Sequence, residues 1–281
     1  MRVMAICKVC FRHCDIQEGS AGFCGGRVCK DNTVRCGNYG KVTSLALDPI
    51  EKKPLRRFAP GSLILSVGSY GCNLRCPFCQ NHSISWSDEA KRLAARAEYL
   101  SPETLAETAY RYKKAGNMGV AFTYNEPLIG WEYVRDTARL VHERGMKNVL
   151  VTNGTASSEV LQELLPCIDA MNIDLKGFTD RYYAEVLGGD REMVMQFIRK
   201  AAEGCHVELT TLVVPGENDS EEEMAELTDW VAGISNEIPL HISRFFPQFK
   251  MTDREATDVG HIYRLAELAG EKLKYVYTGN C

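Results

Sequence analysis

The sequence predicts an α/β fold, a parallel sheet covered by helices, behind a cysteine-rich N-terminal extension. Three observations lead there. From residue 62 onward, short apolar runs alternate with helical patterns, the signature of strand–helix units. The runs are continuously apolar, as strands buried on both faces are. Residues 7–36, by contrast, hold six cysteines and few periodic apolar positions. A segment that buries so little core needs a metal to hold it. The organisation expected is therefore a cysteine-rich metal-binding extension over 1–61 and a strand–helix domain over 62–281.

The strands are expected at 63–67, 119–124, 148–152, 170–175, 207–214 and 240–245, with a last one at 274–277. Ser101-Pro102 supplies an N-cap and a first-turn proline, and Gly116 a stop. Leu105, Ala109 and Tyr112 share a face of that helix. Val134, Ala138 and Val141 do so in the next, which stops at Gly145. Ser220 and Glu223 form a capping box ahead of Met224, Leu227 and Val231. The last helix is expected over 254–270. Residues 37–61 read as irregular connection, broken by Pro49, Pro54 and Pro60. Six or seven units fall short of a closed eight-fold barrel. The pattern alone allows a partial barrel or an open doubly wound sheet.

Composition narrows the class. The chain has 281 residues and a net charge of −4, and its charges are interspersed, so no basic stripe points to nucleic acid. No apolar run approaches the ~18 residues that span a bilayer, and residues 1–20 lack a signal-peptide core. Twelve cysteines suit either a secreted disulfide framework or a metal protein. The length and the missing signal favour metal-bound thiolates in a cytoplasmic setting.

The most informative cluster is Cys72, Cys76 and Cys79, spaced Cys-x3-Cys-x2-Cys directly after the 63–67 strand. Parallel α/β folds place active sites at the C-terminal ends of their strands. A cubane iron–sulfur cluster takes four cysteines when fully ligated, so three leave one iron open for chemistry. Gly68, Gly71 and Pro77 let the loop curl, and Phe78 shields it from water. The competing reading is a structural zinc with His82 as fourth ligand.

That loop resembles the radical S-adenosylmethionine (radical SAM) superfamily. The segments CKVCFRHCDIQEGSAGFCG, DPIEKKPL, PGSLILSVGSYGCNLRCPFCQN, TYNEP, VTNG, NIDLKGF, TTLVVPGENDSEEE and HISRFFPQFKMTDR narrow it. They resemble the pyruvate formate-lyase activating enzyme-like branch, and within it most resemble the radical SAM member of the AmmeMemoRadiSam system. Members of that group commonly extend further at the C-terminus. The resemblance implies a partial (β/α)6 TIM-like barrel. It also implies a 4Fe-4S cluster on Cys72, Cys76 and Cys79 that reductively cleaves S-adenosylmethionine. The resulting 5′-deoxyadenosyl radical takes a hydrogen atom from the substrate. The electron would come from a donor such as flavodoxin or ferredoxin.

The resemblance further assigns S-adenosylmethionine contacts, each with a plainer alternative. Glu126 in Thr-Tyr-Asn-Glu-Pro matches the glutamate of a Gly-Gly-Glu motif that holds the methionine amino group; otherwise it caps a loop. Val151 replaces a ribose-binding aspartate, and Asn153 either substitutes for it or tolerates a left-handed turn beside Gly154. Asp174 and Lys176 match an Asp-x-Lys pair facing the ligand; otherwise they form a rim salt bridge. His241 matches a site histidine or is a satisfied rim histidine, and Arg244, on the opposite strand face, suits an anionic group.

Cys7, Cys10, Cys14 and Cys24 suit either a structural zinc or a second, fully ligated 4Fe-4S cluster. Zinc would serve folding and iron–sulfur would serve electron supply. His13, Cys29 and Cys36 are spare ligands, while Cys167 and Cys205 read as core thiols. The substrate is a partner protein's backbone glycine, in a glycyl radical enzyme activase, or else a small molecule or peptide. The rival of another class is a non-catalytic iron–sulfur or zinc electron carrier or scaffold.

Overall fold

The computed structural model describes residues 4–281; the first three residues of the expected extension lie outside it. One sheet of eight strands organises the chain. Its members are β1 (Ser44–Pro49), β2 (Leu63–Gly68), β3 (Asn117–Phe122), β4 (Lys147–Thr152), β5 (Ala170–Asp174), β6 (His206–Val213), β7 (Leu240–Arg244) and β8 (Val276–Gly279). They lie in the order β8-β7-β6-β5-β4-β3-β2-β1. Strands β2 to β8 are parallel, and β1 pairs antiparallel at the edge.

Six helices make the crossovers: α1 (Pro102–Arg111), α2 (Trp131–Glu143), α3 (Ser158–Leu164), α4 (Arg191–Ala202), α5 (Glu221–Ile234) and α6 (Val259–Gly270). They cover one face of the sheet, where Leu65, Val120, Leu150 and Met171 join the helix cores. The other face packs inward on itself: Ile64, Ala121, Val149 and Ala170 meet Ile50 and Leu55 from the preceding segment. Helices outside and a self-packed interior make a partial (β/α)6 barrel with a seventh parallel strand.

The base of that barrel is closed by an ionised group. Glu208 on β6 is fully buried. It accepts hydrogen bonds from the Arg56 and Arg57 backbone N–H groups (3.0 and 2.7 Å) and from His206 and His241 (3.0 and 2.7 Å). Burial works against its charge, but these donors hold it at about 2. The carboxylate thus ties the 50–58 segment into the strand interior.

Several local expectations shift. Residues 37–61 are not wholly irregular, because β1 lies within them and belongs to the barrel sheet. Pro49 ends that strand at the sheet edge, where a missing N–H breaks no central ladder. Tyr112 is exposed, because the last turn before Gly116 tightens to a 3₁₀ helix and turns it out. Helix α6 starts five residues later than expected, at Val259, because the Asp258 side chain accepts from His261 N–H and fixes the N-cap there. Only half of the capping box forms. Ser220 Oγ accepts from Glu223 N–H (3.1 Å), but the Glu223 carboxylate turns away to accept from Phe178 N–H. Ser220→Ala is expected to cost about 1 kcal/mol, measured by urea unfolding. No helix among the described residues is long and apolar enough to cross a membrane.

Candidate active site

The loop after β2 carries Cys72, Cys76 and Cys79, and all three line one cavity of about 310 Å³ at the C-terminal ends of the strands. Burial pushes all three thiols up, and at Cys72 and Cys76 the neighbouring thiols add to the effect. Metal binding must displace those protons at a cost that the soft thiolate–metal bonds offset, and three thiols sharing one cavity are the donor type a soft metal takes. No three His, Cys, Asp or Glu side chains among the described residues stand at ready metal-ligating positions. The fit therefore rests on donor type, shared cavity and mutual proximity.

The loop is pinned from several sides. Cys72 N–H donates to Cys24 C=O (3.2 Å), Arg75 N–H to Leu187 C=O (2.8 Å) and Lys250 N–H to Pro77 C=O (2.9 Å). Gln248 donates to Phe78 C=O (2.8 Å). Gly71 sits at φ +94°, and a Cβ there would stand 2.5 Å from Cys24 C=O. Only glycine allows both that turn and that approach. Leu187 ends a π-helix, Tyr182–Leu187, whose buried tyrosines wall this side.

Glu126, Asn153, Asp174 and Lys176 line the same cavity. Glu126 is 2% exposed. It accepts from Thr152 Oγ1 (2.7 Å), Leu128 N–H (2.9 Å) and Asn153 N–H (2.8 Å). Burial outweighs those donors and lifts its carboxyl to about 7. A carboxylate offers roughly four acceptor sites, so one remains for a ligand. Lys176 Nζ pairs with Asp174 Oδ2 at 2.7 Å. Burial opposes the ammonium, but Asp174 and Cys76 overcome it and keep the lysine charged. Lys176 N–H also donates to Tyr183 Oη (3.0 Å), which sets the strand end. Asn153 is not left-handed; Gly154 is, at φ +69°. The Asn153 amide instead reaches the cysteine loop, donating to Asn73 Oδ1 (2.9 Å) and lying 3.7 Å from Cys72 Sγ.

His241 stands apart. It is the second residue of β7, at the barrel base, and its imidazole is held by Glu208 rather than by the cavity. Strand alternation aims it inward but does not set its height along the barrel. Arg244 and Phe245 both line the cavity, since the strand ends there and alternation lapses. His82 stacks on Phe249 (4.1 Å between centroids) and does not line the cavity. Phe78 is buried against Phe245, edge to face at 6.2 Å.

Cys7, Cys10, Cys14 and Cys24 line one small cavity together with Arg12 and Arg27. Burial pushes the Cys24 thiol to about 11, and Cys10 is raised the same way. Cys29 pairs with Glu18 (3.5 Å), Cys36 with Asn38 (3.1 Å), and His13 is exposed, so none joins them. Cys167 is buried and Cys205 half-buried.

Two features escape the sequence reading. Tyr124 adopts φ +72°, a conformation suited to glycine, where the Gly-Gly-Glu comparison places one. Its hydroxyl donates to Asp48 Oδ2 (2.7 Å), and Lys53 Nζ pairs with that carboxylate (2.9 Å), a tether that offsets the strain. Arg12 and Arg75 bracket the Phe23 ring (3.4 and 3.7 Å) beside the cysteine loop. The tyrosine would be flagged by a bulky residue standing in a glycine position. The arginines carry no spacing signal.

Comparisons with known proteins agree with this geometry. The radical SAM superfamily description matches residues 66–228. An uncharacterized protein, MJ0808, of Methanocaldococcus jannaschii is 40% identical over 279 residues, covering 98% of this chain and 80% of its own. The pyruvate formate-lyase 1-activating enzyme of Escherichia coli is 25% identical over 198 residues, covering 69% of this chain and 78% of its own. The crystal structure of Streptococcus suis SuiB bound to S-adenosylmethionine superposes with a TM-score of 0.58 at 17% identity, over 75% of this chain and 48% of that one. The last shows the barrel fold alone. With the cysteine loop and its cavity at the head of that barrel, the chain belongs to the radical SAM superfamily and is similar to its pyruvate formate-lyase activating enzymes.

Proposed function

We propose that this radical SAM enzyme binds its 4Fe-4S cluster at Cys72, Cys76 and Cys79, cleaves S-adenosylmethionine, and draws a hydrogen atom from a backbone glycine of a partner protein. The observation that carries the reading is one cavity lined by three cysteines, two acids and a lysine. The group bound there supplies one-electron cleavage of the sulfonium and the resulting 5′-deoxyadenosyl radical. The chain's own residues bind and orient. Glu126 takes the methionine ammonium by a charge-assisted hydrogen bond. The Asp174–Lys176 pair presents both signs to a zwitterion, and Asn153 braces the cysteine loop. Phe78 and Phe245 keep water from a reactive carbon centre. No general base is needed, because a hydrogen atom and not a proton leaves the substrate.

The protein-substrate reading is supported by the likeness to activating enzymes for pyruvate formate-lyase and for 4-hydroxyphenylacetate decarboxylase. A flavodoxin- or ferredoxin-type carrier supplies the electron. Cys7, Cys10, Cys14 and Cys24 bind a second metal centre, zinc or iron–sulfur. The working division is a cysteine-rich extension over 1–61, whose residues 44–49 add the edge strand of the barrel sheet, and a barrel over 62–281. Mixing the anaerobic, reduced enzyme with S-adenosylmethionine and pyruvate formate-lyase as probe should raise a protein-centred radical signal by EPR, with matching 5′-deoxyadenosine. Full 5′-deoxyadenosine formation without any protein radical, whichever glycyl radical enzyme is offered, would count against the activase reading and leave a small molecule or peptide. Glu126→Gln should weaken S-adenosylmethionine binding roughly tenfold, about 1.4 kcal/mol, by calorimetry. In the wild type, affinity should fall as pH drops through about 7, where the Glu126 carboxyl takes up its proton.

A further inference from the structure

The two cysteine sites are in direct contact. Cys24 C=O, from the N-terminal set, accepts the N–H of Cys72, the first cysteine of the loop, at 3.2 Å. Asn73, fully buried, stands beside the Cys10 sulfur and accepts from Asn153 (2.9 Å), whose amide lies 3.7 Å from Cys72 Sγ. Arg12 lines the N-terminal cavity and donates to Asn73 C=O (2.8 Å). The backbone route from one thiol set to the other crosses a single hydrogen bond, and the side-chain route runs through Asn73 and Asn153. A metal that served only folding gains nothing from that adjacency, and zinc carries no redox change. Hydrogen bonds and net charge near the sulfurs are the levers that set an iron–sulfur potential, and guanidinium groups are among the neighbours here.

From this contact between Cys24 and Cys72 we infer that Cys7, Cys10, Cys14 and Cys24 hold a redox-active iron–sulfur cluster that relays the electron to the cysteine-loop cluster. The inference rests on the proposed function for its acceptor. One electron enters from a one-electron carrier of iron–sulfur or flavin type, resides on the N-terminal centre, and passes to the loop centre. The carrier is oxidised and the loop centre reduced; no bond forms or breaks and no proton moves.

The test uses the full chain reconstituted anaerobically with iron and sulfide and reduced with dithionite. The wild type should hold about eight irons and give an EPR spectrum broadened by coupling between two paramagnetic clusters. A Cys72→Ala, Cys76→Ala, Cys79→Ala triple variant should keep about four irons and a sharp, uncoupled signal from the N-terminal centre. Cys24→Ser should lose the coupling and slow reduction of the loop cluster by a reduced flavodoxin at least tenfold. Zinc at the N-terminal site, or an iron–sulfur signal there with no coupling in the wild type, overturns the relay. Either result leaves S-adenosylmethionine cleavage by dithionite-reduced wild type intact, whereas failure of the proposed function removes that cleavage while both clusters are present.

Discussion

Cys76→Ala is expected to reduce S-adenosylmethionine cleavage to background while leaving the N-terminal metal in place. The loss should exceed the roughly 100-fold that removal of an outer partner of a metal ligand costs, because a ligand itself is gone. Cys76 is 7% exposed and lines the cavity together with Phe78 and Lys176. Its replacement empties one corner of the cluster and leaves Lys176 facing Asp174 alone. The fold should survive. The loop's anchors are backbone hydrogen bonds to Cys24, Leu187 and Lys250, and none uses the Cys76 sulfur. Circular dichroism melting and metal content, read beside 5′-deoxyadenosine formation, separate loss of chemistry from loss of structure.

The second large effect lies at the other end of the barrel. Glu208→Ala should cost about 3–5 kcal/mol, the range for breaking a buried charge network. It strands His206, His241 and two backbone N–H groups that the carboxylate now satisfies. The carboxyl is held at about 2 against an ordinary 4.5, a difference worth roughly 3 kcal/mol. The sign follows from linkage. The folded pKa is depressed, so this stability is fully present above 4.5 and is lost as pH falls toward 2. The wild type should therefore lose stability over that window, and Glu208→Gln should show a flatter acid limb. Chemical denaturation at several pH values between 2 and 6 reads both. A change of a few tenths of a kcal/mol would mean that the base of the barrel is held by packing alone.

The legible parts of this molecule were those with local causes. The seven parallel strands announced themselves because buried strands are continuously apolar, and Ser101-Pro102 and Gly116 punctuate a helix through capping and a left-handed stop. Asp174 and Lys176 were readable because a two-residue spacing at a strand end fixes a common side. Long-range choices left no such mark. β1 was hidden because its pairing lies across a turn and Pro49 reads as a breaker. His241 points inward as alternation requires, yet its depth depends on where β7 begins, which sequence spacing does not state. Glu208 looks like an ordinary strand glutamate until the 50–58 segment is folded beneath it. Tyr124 stands in a left-handed position with its hydroxyl tethered by Asp48, distant in sequence.

The four N-terminal cysteines were legible as a group that shares one cavity, but their closeness to the cysteine loop was not. Gly71 is the residue that makes it possible, and its reason appears only once Cys24 C=O is seen 2.5 Å from where a side chain would start. The sequence separates the two sets by more than forty residues. The fold brings them to a single hydrogen bond.

The central claim is that Cys72, Cys76 and Cys79 hold a cluster that cleaves S-adenosylmethionine. The most direct measurement is 5′-deoxyadenosine release after anaerobic reconstitution with iron and sulfide and reduction by dithionite. The account predicts 5′-deoxyadenosine and methionine in equal amounts from the wild type and none from Cys76→Ala. An intact, EPR-visible cluster at the loop that yields no 5′-deoxyadenosine with S-adenosylmethionine present would contradict it.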